Sequence, residues 1–319
     1  MKPFWKDVLT AAFMGLILPG VIFHFAAGAA EDPGAVETVP PSVPVTVAQA
    51  PQMTMKLLLN DGTVAEMDME EYLTGVVLAE MPASFETEAL KAQSVVARTY
   101  TLKVMEAGAK HGGAVCTDHT CCQAYVDPSD YSGGTENLEK VRSAVLATAG
   151  QVLTYEGNLI EATYFSCSGG STEDAVAVWG TDYPYLRATD SPGEEGAAHF
   201  TDSVTFSAAD FADKLGISPS GSPASWLGYV TYTAGGGVNT MRIGGTDFKG
   251  TELRSLLGLR STAFTMEANG DTITVTTKGF GHRVGMSQYG ADAMAVAGAG
   301  YAEILAHYYQ GTVLTHFDN

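Results

Sequence analysis

Positive charge is scarce in this 319-residue chain, in which Lys and Arg total 17 and Asp and Glu total 36. The formal net charge of −19 argues against nucleic acid as a partner, because phosphate binding needs neutralising cations. The same charge opposes a broad electrostatic attraction to anionic cell-wall polymers. A ligand would therefore have to be held in a shaped cleft by hydrogen bonds and ring stacking.

Cysteine is also sparse, and its placement argues against a disulfide framework. The cysteines are Cys116, Cys121, Cys122 and Cys167. Three of them fall within seven residues, which indicates a local purpose. With His111 and His119 they place five soft or borderline ligands within twelve residues, which predicts a tetrahedral, structural zinc site. A disulfide from Cys116 to Cys121 or Cys122 is the main alternative in an oxidising compartment, and free thiols are the third.

An apolar stretch near the N-terminus, residues 8–30, contains no Lys, Arg, Asp or Glu. Its length suits a bilayer-spanning helix, and the lysines before it place the N-terminus in the cytoplasm. We therefore predict a cytoplasmic tail at residues 1–7, a single-pass membrane anchor at 8–30, and an extracytoplasmic domain held at the cell membrane. A cleaved signal peptide is the alternative, because small residues at 26–30 suit a peptidase, and it too exports the domain.

The remaining chain divides into a linker and a folded region. Five prolines mark residues 31–53 as a semi-rigid linker. Residues 54–319 mix helices with short strands, including a hairpin around the turn at 60–62 and a strand at 159–165. The mixture predicts an α+β fold, in which a mixed α/β domain carries a substrate cleft and an inserted lobe at about 205–265.

Glu80 is the candidate acid/base. It follows an apolar run at residues 76–79, and a carboxyl group in apolar surroundings can stay protonated and act as a general acid. Lys91 and Arg98 are seven residues apart on the following helix and share one face, from which they could hold substrate oxygens or anionic groups. A solvated glutamate and a water-exposed helix face are the ordinary alternatives.

Two further segments carry candidate substrate contacts. The glycine-rich stretch 279–285 precedes Ser287 and Gln288 at a helix start, where exposed N–H groups can meet a ligand oxygen. Residues 179–186 place aromatic rings near small polar loops, and Tyr183 is the candidate for stacking on a sugar ring. A tight glycine-shaped connection and ordinary aromatic packing are the alternatives.

Taken in order along the chain, these segments resemble the stage II sporulation protein D family. The matching segments are the anchor, Glu80-Met81-Pro82, the helix from Ala89 to Tyr100, the Cys/His loop, Ser168-Gly169-Gly170, Trp179 to Leu186 and Gly281 to Ala291. The resemblance implies a lytic transglycosylase. Such an enzyme cleaves between N-acetylmuramic acid and N-acetylglucosamine in peptidoglycan strands stripped of stem peptides, and leaves a 1,6-anhydro product.

The resemblance also implies the roles of the candidate residues. Glu80 corresponds to the acid/base, Lys91 and Arg98 to helix positions needed for activity, and Ser287 and Gln288 to residues that line the cleft. One acid/base suffices in this chemistry, because the 6-hydroxyl of the sugar attacks in place of water.

The biological role follows from the same resemblance. It implies a part in forespore engulfment during sporulation, together with a cell-wall amidase and a membrane partner. Related domains occur in amidase enhancers, so a non-catalytic peptidoglycan-binding enhancer is the alternative function. A purely structural engulfment scaffold is the third.

The sequence departs from the family pattern at two positions. Arg283 stands where the family motif has a glycine, and we expect its side chain to point to solvent or substrate. Cys121 stands where zinc-binding members have a histidine. The ligand set that the resemblance implies is therefore His111, Cys116, Cys121 and Cys122, with His119 as the substitute.

Overall fold

The computed structural model describes residues 53–108, 111–118 and 120–317, all of which lie in the unit Ala48–Asn319. The predicted cytoplasmic tail, the membrane anchor at 8–30 and all of the linker except Met53 fall outside the described residues, as does His119. Within the described ranges, no helix is long and apolar enough to cross a membrane.

Helices and short strands are mixed along the described residues, which confirms the predicted α+β class. The helices are α1 (Met69–Glu80), α2 (Thr87–Ala107), α3 (Thr135–Ala147), α4 (Ala175–Trp179), α5 (Ala208–Leu215), α6 (Pro223–Trp226), α7 (Gly250–Leu257), α8 (Gln288–Val296) and α9 (Tyr301–Tyr308). The strands are β1 (Thr54–Leu58), β2 (Val64–Asp68), β3 (Val115–Cys116), β4 (Gln151–Tyr155), β5 (Asn158–Leu159), β6 (Tyr164–Phe165), β7 (Thr201–Ser207), β8 (Leu227–Tyr232), β9 (Val238–Ile243), β10 (Thr246–Lys249), β11 (Phe264–Asn269), β12 (Thr272–Lys278), β13 (Met286–Ser287) and β14 (Val313–His316). Their pairing orders are β2-β1-β3, β10-β9-β8, β11-β12-β7, β13-β6 and β14-β4-β5.

The predicted hairpin is confirmed, and it leads directly into α1. β1 and β2 pair antiparallel around the turn at residues 60–62. The Asp68 carboxylate then caps α1 by accepting a 2.9 Å hydrogen bond from the backbone N–H of Glu70. α1 ends at Glu80, because Pro82 disfavours helical backbone at the residue before it. Glu80 therefore lies where a buried helix stops.

The main hydrophobic core surrounds α1 and α2, which are buried on most of their faces. Val76 and Val77 of α1 and Val95 and Val96 of α2 are each 0 % exposed. Full burial of an aliphatic side chain of this kind stabilises the fold by about 1.5–3 kcal/mol relative to exposure. The two helices therefore form a rigid, buried support for the segments that follow them in the chain.

The segment that follows Cys122, residues 123–126, lies against α1. The backbone N–H of Val126 donates to the carbonyl of Gly75 at 3.2 Å. A Cβ at Gly75 would lie 2.3 Å from the Tyr125 ring, so only glycine permits this close approach. The cysteine loop is thereby held against the helix that ends in Glu80.

The region predicted to form an inserted lobe has a hydrophobic core of its own. Phe211, Ile243, Leu253 and Ile273 in this second core are each 0 % exposed. The lobe spans residues 201–278, which is more than predicted. It is larger because β7 pairs with β12 along its whole length, so both strands belong to the lobe.

A short parallel pair joins the chain on either side of the lobe. Tyr164 of β6 lies opposite Met286 of β13, and Phe165 lies opposite Ser287. The strand predicted at 159–165 is therefore two strands, since β5 pairs with β4 while β6 pairs with β13. This pairing brings together the segments that precede and follow the lobe, next to Glu80 at the end of α1.

The prediction that the Arg283 side chain points to solvent or substrate is wrong. Arg283 has a left-handed backbone (φ 67°), and its side chain is 2 % exposed. Its guanidinium donates to Oε1 of Glu173 at 3.0 Å and to the carbonyls of Ser168, Ser171 and Gly235, each at 2.7 Å. The side chain turns inward because these acceptors satisfy its donors, and it ties the 168–171 loop to the lobe.

Candidate active site

A cleft of about 490 Å³ opens beside the end of α1. It is lined by Glu80, Tyr100, Cys122, Gln123, Thr163, Tyr164, Phe165, Ser166, Phe280, Gly281, His282 and Gln288. Three parts of the chain that are distant in sequence therefore form one wall: the ends of α1 and the cysteine loop, strand β6, and the segment that follows the lobe.

Glu80 is half-buried in this wall. Its Oε1 accepts a 3.0 Å hydrogen bond from the backbone N–H of Ala124, and the carboxyl group also hydrogen-bonds the Tyr164 hydroxyl. Burial, with the charge of Glu80 as the second cause, holds the pKa of Tyr164 well above its usual range. Tyr164 is therefore a neutral phenol beside the candidate acid.

Sequence analysis missed Tyr164 and its partner Gln123. The Tyr164 hydroxyl donates to Oε1 of Gln123 at 3.0 Å, and Gln123 is only 2 % exposed. A signal was present, because Tyr164 lies four residues before the Ser168-Gly169-Gly170 segment and Gln123 directly follows Cys122. Their proximity to Glu80 depends on the pairing of β6 with β13, which no local pattern reveals.

His282 makes part of the cleft lining aromatic. Its ring lies 5.2 Å from Trp179 and 5.6 Å from Phe165 between ring centroids, and its Nδ1 accepts from the backbone N–H of Val284 at 3.1 Å. Burial, with the charge of Arg254 as the second cause, lowers the pKa of His282 to about 4. The neutral imidazole of His282 lies beside the half-exposed indole of Trp179. Together they give this part of the cleft an apolar surface made of aromatic rings.

Lys91 and Arg98 do share one helix face, but the structure does not bring them to the cleft. The Lys91 ammonium pairs with Glu88 at 2.6 Å and lies 5.8 Å above the Tyr301 ring. Arg98 is 1 % exposed and forms an ion pair with Glu70. Arg98 therefore ties α2 to α1 from inside the protein, and its guanidinium is not open to a substrate.

The other predicted contacts separate into one cleft residue and two that lie elsewhere. Gln288 lines the cleft, is 6 % exposed, and its Nε2 has no hydrogen-bond partner among the described residues. Ser287 is 0 % exposed and donates to Oε1 of Glu194 at 2.5 Å. Tyr183 packs 5.7 Å from the ring of Tyr185 and does not line the cleft.

Glu194 is a buried carboxylate that the sequence did not single out. Its Oε2 accepts from the backbone N–H groups of Ser168 (2.8 Å) and Gly169 (2.9 Å), and its Oε1 accepts from Ser191 (2.6 Å) and Ser287. A carboxylate with this many donors is satisfied without a cation. It fixes the start of α8, and so the backbone that carries Gln288.

The predicted metal ligands lie together. One ligand atom from each of His111, Cys116, Cys121 and Cys122 falls within 4.8 Å of the others, and the cysteines are free thiols. Burial, with the neighbouring thiols as a further cause, raises the pKa of Cys122 to about 12. One imidazole and three thiols at this separation suit a tetrahedral divalent ion, which would offset the repulsion between thiolates.

Comparison with known proteins shows where this arrangement belongs. A family model described as Stage II sporulation protein matches residues 60–155. The chain is 40 % identical over 283 residues to Stage II sporulation protein D of Bacillus amyloliquefaciens, a match that covers 86 % of this chain and 82 % of that protein. The chain belongs to the stage II sporulation protein D family.

Two further relatives extend this family assignment. Stage II sporulation protein D of Bacillus subtilis (strain 168) is 42 % identical over 265 residues, or 80 % of this chain and 77 % of that protein. An amidase enhancer of the same strain is 32 % identical over 298 residues, or 77 % of this chain and 40 % of that protein. The family resemblance drawn from the motifs is thus confirmed, and so is a relationship to an amidase enhancer.

Proposed function

We propose that this family member is a peptidoglycan lytic transglycosylase, in which Glu80 acts as the acid/base on denuded glycan strands. The observation that carries the proposal is that Glu80 is the only carboxylate among the described residues that line the cleft. A glycoside hydrolase of the usual kind needs a second carboxylate to activate water or to attack the sugar. A single acid/base suffices when the nucleophile belongs to the substrate.

The reaction balances with this one side chain. Protonated Glu80 gives its proton to the glycosidic oxygen while the bond to C1 of N-acetylmuramic acid breaks. The 6-hydroxyl of the same sugar then bonds to C1, and its proton passes to the Glu80 carboxylate. The products are an N-acetylglucosamine end with a free hydroxyl and a 1,6-anhydro sugar, and no water is consumed. The Ala124 N–H stabilises the carboxylate between the two steps.

The substrate is held by one amide and several rings in this proposal. Nε2 of Gln288, which has no hydrogen-bond partner among the described residues, donates to a sugar oxygen, and the exposed ring of Trp179, next to His282, provides a stacking surface. Lys91 and Tyr183 lie outside the cleft and would contact only sugars that extend beyond it.

The two buried predicted residues, Arg98 and Ser287, act indirectly in this proposal. Arg98 holds α2 against α1, and Ser287 holds the first turn of α8. Neither of them has a surface that a sugar could reach, since both are almost fully buried.

A structural zinc ion belongs to the same proposal, with His111, Cys116, Cys121 and Cys122 as its ligands. When bound, the ion neutralises the thiolates and fixes the loop that contains them. Because Ala124 follows Cys122 by two residues, this loop also fixes the N–H donor on Glu80. All four coordination positions are protein ligands, so the ion has no place for a catalytic water.

The proposed setting is forespore engulfment at the cell membrane, with residues 8–30 as the anchor. A cell-wall amidase would supply the denuded strands by removing stem peptides, and a membrane protein would hold the complex. The similarity to an amidase enhancer favours one alternative, in which the domain binds peptidoglycan and stimulates an amidase without cleaving glycan itself.

The deciding experiment uses the full-length protein and purified denuded glycan strands. The wild type should release 1,6-anhydro products detected by mass spectrometry, and Glu80→Gln should abolish release with an unchanged unfolding midpoint. Glu88→Gln is the matched control. Glu88 lies on α2, close to Glu80 in the sequence, but it pairs with Lys91 outside the cleft. Full activity of Glu80→Gln would refute the role of Glu80. Binding of strands without any cleavage by the wild type would favour the enhancer.

A further inference from the structure

Arg260, a residue of the lobe, lies at the border of the cleft. The central carbon of its guanidinium is 5.0 Å from the centroid of the Phe280 ring, and its carbonyl accepts a 3.0 Å hydrogen bond from the N–H of Gly281. Phe280 and Gly281 both line the cleft. The Arg260 side chain is 35 % exposed, so its guanidinium rests on a lining ring and is still open to a ligand.

Asp202 holds this guanidinium in one orientation. Nε of Arg260 donates to Oδ2 of Asp202, and Oδ1 of Asp202 accepts from the backbone N–H of Ser203 at 3.0 Å. A guanidinium has five N–H donors, and the bond to Asp202 uses one of them. The two terminal NH₂ groups of Arg260 have no hydrogen-bond partner among the described residues. They form a planar fork that matches the two oxygens of a carboxylate.

A second arginine, Arg254 on α7, adds positive charge close to the cleft. It is half-buried, and its guanidinium makes no ion pair or hydrogen bond within the part of the chain that the structure describes. Burial lowers the pKa of Arg254, and burial followed by the charge of Arg254 lowers the pKa of His282, which lines the cleft. A guanidinium that loses water without gaining an anion is costly to the fold. It therefore suits a site that an anionic ligand completes.

The charges around this border favour a small anion. No lysine or arginine is among the described residues that line the cleft, and the chain as a whole has a net charge of −19. The Arg260–Asp202 pair is neutral in sum and His282 is uncharged, so Arg254 makes the border locally positive. A long polyanion would be repelled by the rest of the surface, whereas a single carboxylate placed beside the cleft would be attracted.

We infer that Arg260, assisted by the charge of Arg254, binds the free lactyl carboxylate of N-acetylmuramic acid and thereby selects strands without stem peptides. In a strand that carries a stem peptide, this carboxyl carbon belongs to a neutral amide. Removal of the peptide leaves a carboxylate, whose two oxygens accept from the terminal NH₂ groups of Arg260. The choice of sugar rests on the proposed function, but the preference for a carboxylate can be measured without any cleavage.

The test compares two forms of one glycan. Short strands of N-acetylglucosamine and N-acetylmuramic acid are prepared with free lactyl carboxylates, and part of the material is coupled to methylamine so that each carboxylate becomes a neutral amide. Calorimetry measures the affinity of the full-length protein for each form, with Glu80→Gln present throughout so that the strands are not consumed. The free form should bind about tenfold more tightly, because its hydrogen bonds to Arg260 are charge-assisted. Equal affinity for the two forms would overturn the inference.

Arg260→Gln locates the preference. This change should weaken binding of the free form about tenfold and leave binding of the methylamide form unaltered. Arg242→Gln is the matched control, because Arg242 is also a lobe arginine paired with an aspartate (Asp247, 2.9 Å) and is 44 % exposed, but it does not line the cleft. It should keep the tenfold preference. Equal weakening of both forms by Arg260→Gln would show a general structural effect and would overturn the inference.

The double variant Arg254→Gln/Arg260→Gln removes both cations from the border. It should bind the two forms with the same affinity. A preference for the free form that survives in this double variant would place the carboxylate at another position and would overturn the inference.

Two combinations of results separate this inference from the proposed function. If the preference depends on Arg260 and the wild type cleaves no glycan, the carboxylate site stands and the proposed function fails. If the wild type releases anhydro products from both forms with equal kcat/KM, the proposed function stands and the inference fails.

Discussion

Arg283 and Glu173 form a 3.0 Å ion pair in which the two side chains are 2 % and 1 % exposed. The pair lies between the 168–171 loop and the turn that contains Gly235, so it joins the lobe to the segments that build the cleft. A charged pair buried this deeply is costly to desolvate and persists only when its remaining hydrogen bonds are satisfied. Arg283 meets that requirement with three backbone carbonyls, whereas Oε2 of Glu173 has no hydrogen-bond partner among the described residues.

Removal of Arg283 should therefore strongly destabilise the protein. Arg283→Met leaves Glu173 buried without its cation, and we expect the free energy of unfolding to fall by about 3–5 kcal/mol in urea titrations. Arg187→Met is the matched control, because the Arg187–Asp182 pair (2.8 Å) is exposed, and its loss should cost less than about 1 kcal/mol. Equal losses in the two variants would contradict the structural role of Arg283.

Gln288 should contribute to substrate binding and little to stability. Its Nε2 has no partner among the described residues, so Gln288→Ala removes no hydrogen bond from that nitrogen. We expect KM for denuded strands to rise about tenfold, the value of one hydrogen bond to substrate, with an unchanged unfolding midpoint. Asn137→Ala, on exposed helix α3, should leave KM unaltered. An unaltered KM in Gln288→Ala would remove Gln288 from the proposed site.

The cysteine cluster should bind one metal ion per chain. Elemental analysis of protein expressed with added zinc should give about one zinc per chain, and Cys116→Ser or Cys121→Ser should lower this content severalfold and lower Tm. Cys167→Ser is the control, because Cys167 is also a buried free thiol but lies outside the cluster. Zinc content near zero in the wild type, or equal loss in Cys167→Ser, would contradict the metal site.

Protonation of His282 should destabilise the fold. The pKa of His282 is lowered to about 4 from 6.5, chiefly by burial, so the unfolded chain binds this proton more readily than the folded one. The stabilising contribution of the neutral ring is complete above about pH 6.5 and is lost as the pH falls towards about 4. The free energy of unfolding should therefore fall more between about pH 7 and about pH 4.5 in the wild type than in His282→Phe. Parallel losses in the two proteins would refute this.

Much of the fold followed from local patterns. Helices α5 and α7 have local signals at both ends, because each begins after extended backbone and ends at a left-handed glycine. The hairpin at the start of the domain followed from its Asn-Asp-Gly turn. By contrast, the two strands within 159–165 look like one, since their partners β4 and β13 are chosen by contacts that no local window contains.

The candidate site was predictable only in part, for the same reason. The apolar run before Glu80 and Pro82 after it indicate a carboxylate at the end of a buried helix, and the spacing of His111 and the cysteines indicates a ligand cluster. The seven-residue spacing of Lys91 and Arg98 correctly placed both residues on one helix face. The spacing does not reveal which residues that face contacts. Lys91 pairs with Glu88 and Arg98 with Glu70, and neither residue lines the cleft.

The sequence by itself determined the family, the α+β class, the apolar run before Glu80 and the ligand types near Cys122. The tertiary structure alone decided that Tyr164 meets Glu80, that Gln288 faces the cleft and that Arg283 is buried. The physical reason is that helix ends, turns and ligand spacing depend on neighbouring residues. The hydrogen-bond partners of a buried polar group depend on which distant strands pair. Here the pairing of β6 with β13 brings Tyr164 and the start of α8 to the same cleft.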